Sequence, residues 1–391
     1  MRAAIIGLSM PAHSYPTGKD VFAAGVARLQ ELYEQGDTVV VTMSGGKDST
    51  VCMELAAIAA KRAGRLPVNV IMRDEEIMFP GTFEYCERVA NRKDIDFHWI
   101  TANQPVLNVF NRTMPYVWVF DPMLEPDKWV RKPPSICYMI PEKHIDALVI
   151  KDRFPVPDGK RLMKVVGLRC QESPSRKIGL ISSGGHITKP NKHGAHAVRP
   201  IYDWTDGHIW KAVKENGWDY NSAYNTMYRM GVSRSAMRIG PPLQTAAQIQ
   251  TLQMASRAWP QWFDRVSERA PGVRSAAQFG RRSVEPIRRA GETWEECFWR
   301  ECIDEAPEPW IAERSRAVME KLVRAHLRTS TEPFPQIKPK RGCKNGSWRL
   351  LAKIMYNGNP FAVKAEGLIP PLEPDFFRPG SGTWGGNPGF T

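Results

Sequence analysis

Six residues, Thr38–Met43 (TVVVTM), run without a break into Ser44-Gly45-Gly46-Lys47-Asp48-Ser49, and a helix-spaced pattern follows from about Ser49 to Ala63. This junction constrains the fold more than any other part of the chain. A short β-branched, almost wholly apolar run suits a strand buried on both faces of a parallel sheet. The helix behind it sets Val51, Leu55 and Ile58 along one side, and Gly64 is a natural residue for the position past its C-cap. Between strand and helix, two glycines let the backbone turn sharply and come close to a bound group. A helix start leaves N–H groups without partners and carries the positive end of the helix dipole. Lys47 adds a mobile positive charge, and the Ser44 and Ser49 hydroxyls can donate to anionic oxygens. The chemistry indicated is phosphate binding. The Gly-x-x-x-x-Gly-Lys-Ser/Thr spacing of a Walker A loop is absent, so this is a phosphate loop of another kind.

The elements around the junction alternate. Phe22–Tyr33 places Phe22, Val26, Leu29 and Leu32 on one helical face, Val68–Met72 reads as a second strand, Gly81–Arg92 as a helix and Phe97–Thr101 as a third strand. That order argues for an α/β fold with a parallel sheet. Met1–Met10 holds an apolar stretch too short for a signal peptide and reads as a strand or an ordered arm. Gln104–Pro157 is dense in proline and reads as a long insertion with one short helix near Glu142–Ile150. Leu162–Leu168 is another core strand, and Trp204-Thr205-Asp206 starts a helix ending at Asn216-Gly217, with Thr205 as N-cap and Asp206 complementing the dipole. The organisation expected is an arm and helix over 1–36, a nucleotide-binding domain over 37–240 with its insertion at about 104–157, a basic helical domain over 241–330, and a basic segment with a Pro/Gly-rich tail over 331–391.

Ser-Gly-Gly-Lys-Asp-Ser at 44–49 is the signature of the PP-loop ATP pyrophosphatases and the related phosphoadenylyl-sulfate (PAPS) reductases, and the chain resembles that family. Met72-Arg73-Asp74 resembles the end of the family's second strand, which closes with an acidic residue near the nucleotide. Gly167–Arg176 (GLRCQESPSR) resembles the arginine-bearing motif of PAPS reductases and follows a core strand, where open α/β sheets place ligands. Arg199–Asp206 with Ile209-Trp210, and Tyr220-Asn221 with Tyr224, also resemble the family. Met227–Ser233 with Met237-Arg238, and Ser347-Trp348-Arg349, are similar to the immunoglobulin-binding-regulator (Ibr-type) branch of PAPS-reductase-like proteins. The resemblance covers roughly residues 37–240 and reaches the C-terminal part weakly.

The resemblance implies a parallel-sheet, Rossmann-like domain of the adenine nucleotide alpha hydrolase type with a mostly helical C-terminal extension. It implies ATP as ligand, with PAPS as the alternative, wrapped by Ser44, Gly45, Gly46, Lys47, Asp48 and Ser49, with Asp74, Gly167 and Arg169 also at the nucleotide. Lys47 and Asp48 are the expected catalytic residues. Arg169, Arg176 and Arg238 are expected to hold a second anion or the substrate, because guanidinium forks match phosphate and sulfate. Mg²⁺ at Asp48 and Asp74 is chemically reasonable beside phosphates, with Glu75 and Glu76 following directly. The implied reaction is adenylation of a substrate with release of pyrophosphate, in the setting of sulfur-linked nucleic-acid modification.

The chain departs from the family in its thiols. Its 7 cysteines include no Cys-Gly-Leu-His motif, and Cys343 sits in Arg341-Gly342-Cys343-Lys344 instead. No two form a Cys-x-x-Cys pair, so neither structural zinc nor an iron–sulfur cluster is expected, and reduced thiols in the cytoplasm are the simplest reading. Gly240 stands where the Ibr-type pattern has a Cys nearby. Cys170 reads either as a sulfur carrier or as inert packing. His186, His193 and His196 lie in a Gly-rich basic stretch that reads as a mobile loop over the nucleotide. No apolar run is long enough to cross a bilayer. A formal net charge of +13 favours a polyanionic partner. Arg265, Arg269, Arg274, Arg281, Arg282, Arg288 and Arg289, among Trp259, Trp262, Trp294 and Trp299, either contact DNA or RNA by stacking and charge or solvate a tryptophan core. A partner protein supplying sulfur is also expected. Two rival readings remain at this point: reduction or binding of PAPS with an external thiol, and a nucleotide-sensing DNA-binding regulator without turnover.

Overall fold

A computed structural model of the chain describes residues 15–102, 105–141, 148–234, 237–337, 346–360 and 368–378. The expected arm at Met1–Met10, the surroundings of Cys343 and the tail beyond residue 378 lie outside the described residues. The chain divides into two compact units. The first comprises 1–104, 132–229 and 238–240, and the second 105–131, 230–237 and 241–391.

In the first unit α1 (Val21–Glu34), β1 (Thr38–Met43), α2 (Lys47–Arg62), β2 (Val68–Arg73), α3 (Thr82–Ala90) and β3 (Ile95–Ala102) alternate as their periodicities require. The chain then gives the second unit a hairpin, β4 (Pro105–Leu107) with β5 (Tyr116–Trp118), and returns with β6 (Tyr138–Ile140) and β7 (Leu162–Val165). There follow α4 (Pro174–Ser182), β8 (Ile187–Pro190), β9 (Ala195–Val198), α5 (Asp206–Glu215) and α6 (Ala223–Arg229). Seven strands form one Rossmann-like sheet in the order β6-β3-β2-β1-β7-β9-β8, parallel throughout except for β8 against β9.

The β1 run earns its central place by being apolar on both sides. Val39, Val41 and Met43 pack into a cluster with Leu29 and Leu32 of α1, Val51 and Leu55 of α2, and Ile209 of α5. Val40 joins Ile71, Ile100, Leu162, Val149 and Phe154 in a second cluster. Burying a valine side chain fully contributes about 1.5–3 kcal/mol, so a polar residue at Val39, Val40 or Val41 would break the sheet at its middle. β1 is flanked in parallel register by β2, with Val41 opposite Val70, and by β7, with Val41 opposite Val165. Helix α2 closes as expected, with Ala63 as C-cap and Gly64 at φ +65°. It opens at Lys47, two residues before the expected start at Ser49.

Two expectations change. The stretch His186–Arg199 is not a loop: β9 pairs with β7 and β8 folds back onto β9 at the sheet edge. Burial of Ala195 and Val198 beside β7 overrides the weak strand propensity of a sequence rich in Lys, Gly and His. Of the helix expected near Glu142–Ile150, residues 142–147 lie outside the described residues and 148–150 are not helical. Leu148, Val149 and Phe154 instead cover the second face of the sheet.

The second unit is largely helical: α7 (Ile249–Ala258), α8 (Pro260–Arg269), α9 (Val273–Phe279), α10 (Trp294–Trp299), α11 (Pro309–Leu327) and α12 (Trp348–Met355). Phe298, Val318, Trp348, Leu351 and Met355 form one core, and Tyr116, Trp118, Trp310 and Phe377 another. A π-helical turn, Arg300–Asp304, continues α10. Among the described residues no helix is long and apolar enough to cross a membrane.

Candidate functional site

The strand order creates a crevice. From β1 the chain moves outward through β2 and β3, then comes back on the other side of β1 with β7. Open α/β sheets bind ligands at such a reversal, outside the carboxyl ends of the strands. The loops leaving β1 and β7 are Ser44–Gly46 and Val166–Arg169, which are the two segments singled out from the sequence.

The first loop is held by its own chemistry. Gly45 sits at φ +69°, and a Cβ there would lie 2.6 Å from Thr82 Cγ2. Asn221 Nδ2 donates to the Gly45 carbonyl at 3.0 Å and to Thr82 Oγ1 at 2.9 Å. Ser44 Oγ and Ser49 Oγ share a hydrogen bond of 3.1 Å, and the Lys47 N–H donates to Tyr224 Oη at 3.0 Å. Burial raises the Tyr224 phenol pKa, so it stays neutral. Gly46 is the N-cap of α2 and offers no side chain to the helix start. Helix starts of this kind favour anions. The second loop passes over that start. A Cβ on Gly167 would meet the Asp48 carbonyl carbon at 3.0 Å and Ser49 N at 3.1 Å, so the approach requires glycine.

Charge completes the arrangement. Arg169, only 3% exposed, donates from Nε to Asp48 Oδ1 at 2.5 Å and from Nη1 to Gln171 Oε1 at 3.0 Å. Lys47 Nζ donates to Asp48 Oδ2 at 3.0 Å. Asp206 Oδ1 lies 3.4 Å from both Lys47 Nζ and Arg169 Nη2. The structure thus brings Ser44, Gly45, Gly46, Lys47, Asp48, Ser49, Gly167 and Arg169 into one place. Arg176 pairs with Glu172, and burial first, then the charge of Arg238, lowers its pKa.

Asp74 is set differently. It is 1% exposed, Trp99 Nε1 donates to one carboxylate oxygen at 2.9 Å and the Glu76 N–H to the other at 2.9 Å. Its oxygens hold the end of β2 in place. Among the described residues no group of three or more His, Cys, Asp or Glu side chains is placed to hold a metal. His196 Nδ1 is bonded to the Thr188 carbonyl across the β8–β9 pair. Cys52 is wholly buried in α2, and burial pushes the Cys52 and Cys170 thiols up.

Asp206 and Gln171 escaped the sequence reading as site residues. Asp206 was visible only as an N-terminal helix charge, and the 37-position separation from Arg169 hides their pairing. Gln171 Oε1 accepts both from Arg169 and from the Asp206 N–H at 2.6 Å, and so ties the β7 loop to α5.

Residues 38–116 match the family described as phosphoadenosine phosphosulfate reductase domain. The uncharacterized protein YbdN of Escherichia coli is 25% identical over 252 residues, which are 60% of this chain and 61% of YbdN. The chain thus spans less than two thirds of that relative's length. Adenosine 5′-phosphosulfate reductase of Staphylococcus haemolyticus is 22% identical over 193 residues, 49% of this chain and 68% of that protein. Among solved structures, a PAPS reductase from Candida auris in a phosphate complex aligns with 52% of this chain and 84% of its own, at 13% identity and a TM-score of 0.31. An FMN adenylyltransferase from Candida glabrata with FAD and inorganic pyrophosphate aligns with 52% of this chain and 58% of its own, at 12% identity and a TM-score of 0.35. Over residues 38–116, which hold β1, the Ser44–Ser49 loop, β2 and β3, the chain is thus similar to a phosphoadenosine phosphosulfate reductase domain.

Proposed function

We propose that the first unit binds ATP with its phosphates on Ser44–Ser49 and transfers the adenylyl group to a substrate, releasing pyrophosphate. The observation that carries this reading is the placement of Lys47 and Arg169 beside an uncapped helix start, at the carboxyl ends of β1 and β7. A nucleophilic oxygen of the substrate attacks the α-phosphorus, the bond to the bridging oxygen breaks, and pyrophosphate leaves with that electron pair. Lys47 and Arg169 stabilise the charge that grows on the leaving oxygens. Asp48 positions both cations, and Arg176 with Arg238 holds a second anion or the substrate. Mg²⁺ at Asp48 and Asp74 does not fit this arrangement, because each carboxylate already holds N–H donors on both oxygens, whereas a hard cation needs open oxygen ligands. The steps above use the cations of the chain alone.

The acceptor we favour is nucleic acid undergoing sulfur-linked modification in the cytoplasm, with DNA or RNA met by exposed arginines of the second unit and a partner protein supplying sulfur. The similarity of Met227–Ser233, Met237-Arg238 and Ser347–Arg349 to the Ibr-type branch favours that setting. A second reading is favoured by the reductase relative: the loop holds PAPS or another sulfonucleotide, and an external thiol reduces it. An external thiol suits this reading, since Cys52, Cys86 and Cys170 are buried, while Cys137 is half-buried.

The test is release of pyrophosphate and AMP from ATP with Mg²⁺, with and without DNA or tRNA, for wild type and Lys47→Ala. Release that falls at least ~100-fold in Lys47→Ala, as for loss of a group acting on developing charge, supports the adenylating enzyme. Equal release by both proteins sinks it. No release by wild type, with PAPS bound more tightly than ATP, moves the assignment to the sulfonucleotide reading. ATP binding that alters DNA affinity without turnover points to a nucleotide-sensing regulator.

A further inference from the structure

The mechanism above gives no role to Asp206. It is the first residue of α5, Thr205 caps that helix, and the Asp206 N–H is tied to Gln171 Oε1 at 2.6 Å, so its backbone is fixed. Its Oδ1 lies 3.4 Å from Lys47 Nζ and 3.4 Å from Arg169 Nη2. Asp48 engages the same two cations through separate oxygens at shorter range, 3.0 and 2.5 Å. The Asp206 side chain is 31% exposed against 18% for Asp48. Of the two carboxylates, Asp206 is the looser and the more open.

We infer that Asp206 is a specificity-determining residue: it occupies the anion position of Lys47 and Arg169 with the chain's own carboxylate, and an incoming phosphate must displace it and then sit beside its charge. This rests on the reading that these two cations bind nucleotide phosphates. Its backbone cannot retreat, because Gln171 and the Thr205 cap hold it. The displaced carboxylate therefore repels the ligand, and the repulsion grows with ligand charge. At a separation of about 5 Å it amounts to roughly fourfold in affinity per unit of ligand charge even at the dielectric of bulk water. Wild type consequently discriminates against highly charged anions more than its two cations alone would, and a dianion is penalised less than pyrophosphate.

Binding of inorganic pyrophosphate and of inorganic sulfate to the full chain, by titration calorimetry at one fixed ionic strength, tests this for wild type, Asp206→Asn and Lys47→Ala. On that scale Asp206→Asn is expected to tighten sulfate, a dianion, by roughly 16-fold and pyrophosphate, with about three charges, by roughly 60-fold, while Lys47→Ala weakens both. A merely structural role for Asp206 does not produce a gain that scales with ligand charge. If Lys47→Ala weakens binding but Asp206→Asn gives no gain, or the same gain for both anions, the inference is overturned and the phosphate-loop reading stands. If Lys47→Ala binds both anions as wild type does, the phosphate-loop reading falls and takes the inference with it. Should circular dichroism show Asp206→Asn misfolded, Asp206→Ser replaces it, because it keeps a small polar residue at the first helical position.

Discussion

Asn221→Ala removes a clamp rather than a ligand, and its cost can be worked from the structure. The Asn221 side chain is wholly buried in the loop between α5 and α6. Nδ2 donates to the Gly45 carbonyl at 3.0 Å and to Thr82 Oγ1 at 2.9 Å, and Oδ1 accepts from the Ala223 N–H at 2.9 Å. Alanine leaves three polar groups without those partners. Each buried hydrogen bond is worth about 1 kcal/mol net, and each group left unpaired costs about 1–3 kcal/mol. Water entering the vacated volume recovers part of this, so the total is about 3 kcal/mol. In a unit of about 200 residues, the size of the first unit, that lowers its Tm by about 6–12 °C. Asn221→Asp keeps the shape and the acceptor but turns an oxygen toward the Gly45 carbonyl, so it is expected to cost at least as much.

The same change reaches the site, because Gly45 holds its φ of +69° with its carbonyl anchored on Asn221. Once that peptide is released, pyrophosphate affinity falls together with stability. Calorimetric unfolding of wild type, Asn221→Ala and Asn221→Asp is the assay, since it resolves two transitions if the two units melt apart. Pyrophosphate titration of the same proteins supplies the second readout. An Asn221→Ala protein melting within about 1 °C of wild type, against the shift worked above, and binding pyrophosphate equally well would refute the clamp.

Two further outcomes follow from the same geometry. Gly45→Ala puts a side chain into the left-handed region, which costs about 1–2 kcal/mol, and 2.6 Å from Thr82 Cγ2. Thr82→Ser removes that methyl and keeps the hydroxyl bonded to Asn221, so the double mutant should be more stable than Gly45→Ala alone, as a double-mutant cycle would read; zero coupling would mean no clash. Burial lowers the pKa values of His208 and His186, and His208 Nδ1 accepts the Thr205 N–H at 3.1 Å, which needs a neutral ring. The unfolded chain takes up these protons near the ordinary value of about 6.5, before the folded one does. Stability is therefore complete above about pH 6.5 and is lost as pH falls from there through the depressed folded values. His208→Gln keeps an acceptor for the cap and should flatten part of that loss in urea unfolding between about pH 5 and 7; an unchanged slope would remove His208 from the effect.

What the sequence disclosed, it disclosed locally. TVVVTM is apolar at consecutive positions because both of its faces are buried, and Ser44–Ser49 needs its glycines within six residues of that strand. These are short-range demands, and periodicity reads them. Pairings made at a distance left no such trace. Ala195 and Val198 become strand residues only because β7 lies beside them. Pro105 and Trp118 are thirteen positions apart in a proline-rich run and still pair in a hairpin, with proline at the start of its strand, where a missing N–H is tolerated. Asp206 looks like a helix-dipole charge in sequence and like an ion-pair partner only when Lys47 and Arg169 are folded against it.

The basic composition shows the same limit from the other side. Seven arginines between Arg265 and Arg289 suggest a continuous polyanion footprint, but their guanidinium groups are not equivalent. Arg265 donates to the Asp127 and Trp129 carbonyls, and Arg269 to the Trp118 carbonyl, so both brace the 105–131 segment of the second unit. Arg274 pairs with Asp264 and Arg289 with Glu305, both in exposed pairs that hold their charges only weakly. Arg288 lies over the Trp294 ring at 5.8 Å, and Trp294 packs against the helical core rather than standing free to stack on a base. Arg281 and Arg282 are exposed and form no ion pair among the described residues. An arginine bracing a carbonyl keeps its charge but cannot follow a phosphate backbone, whereas one in a solvent-facing turn can. If the second unit meets nucleic acid as proposed, Arg281 and Arg282 of the Gly280–Ser283 turn are the freer groups to do so, while Arg265 and Arg269 set the shape of the surface.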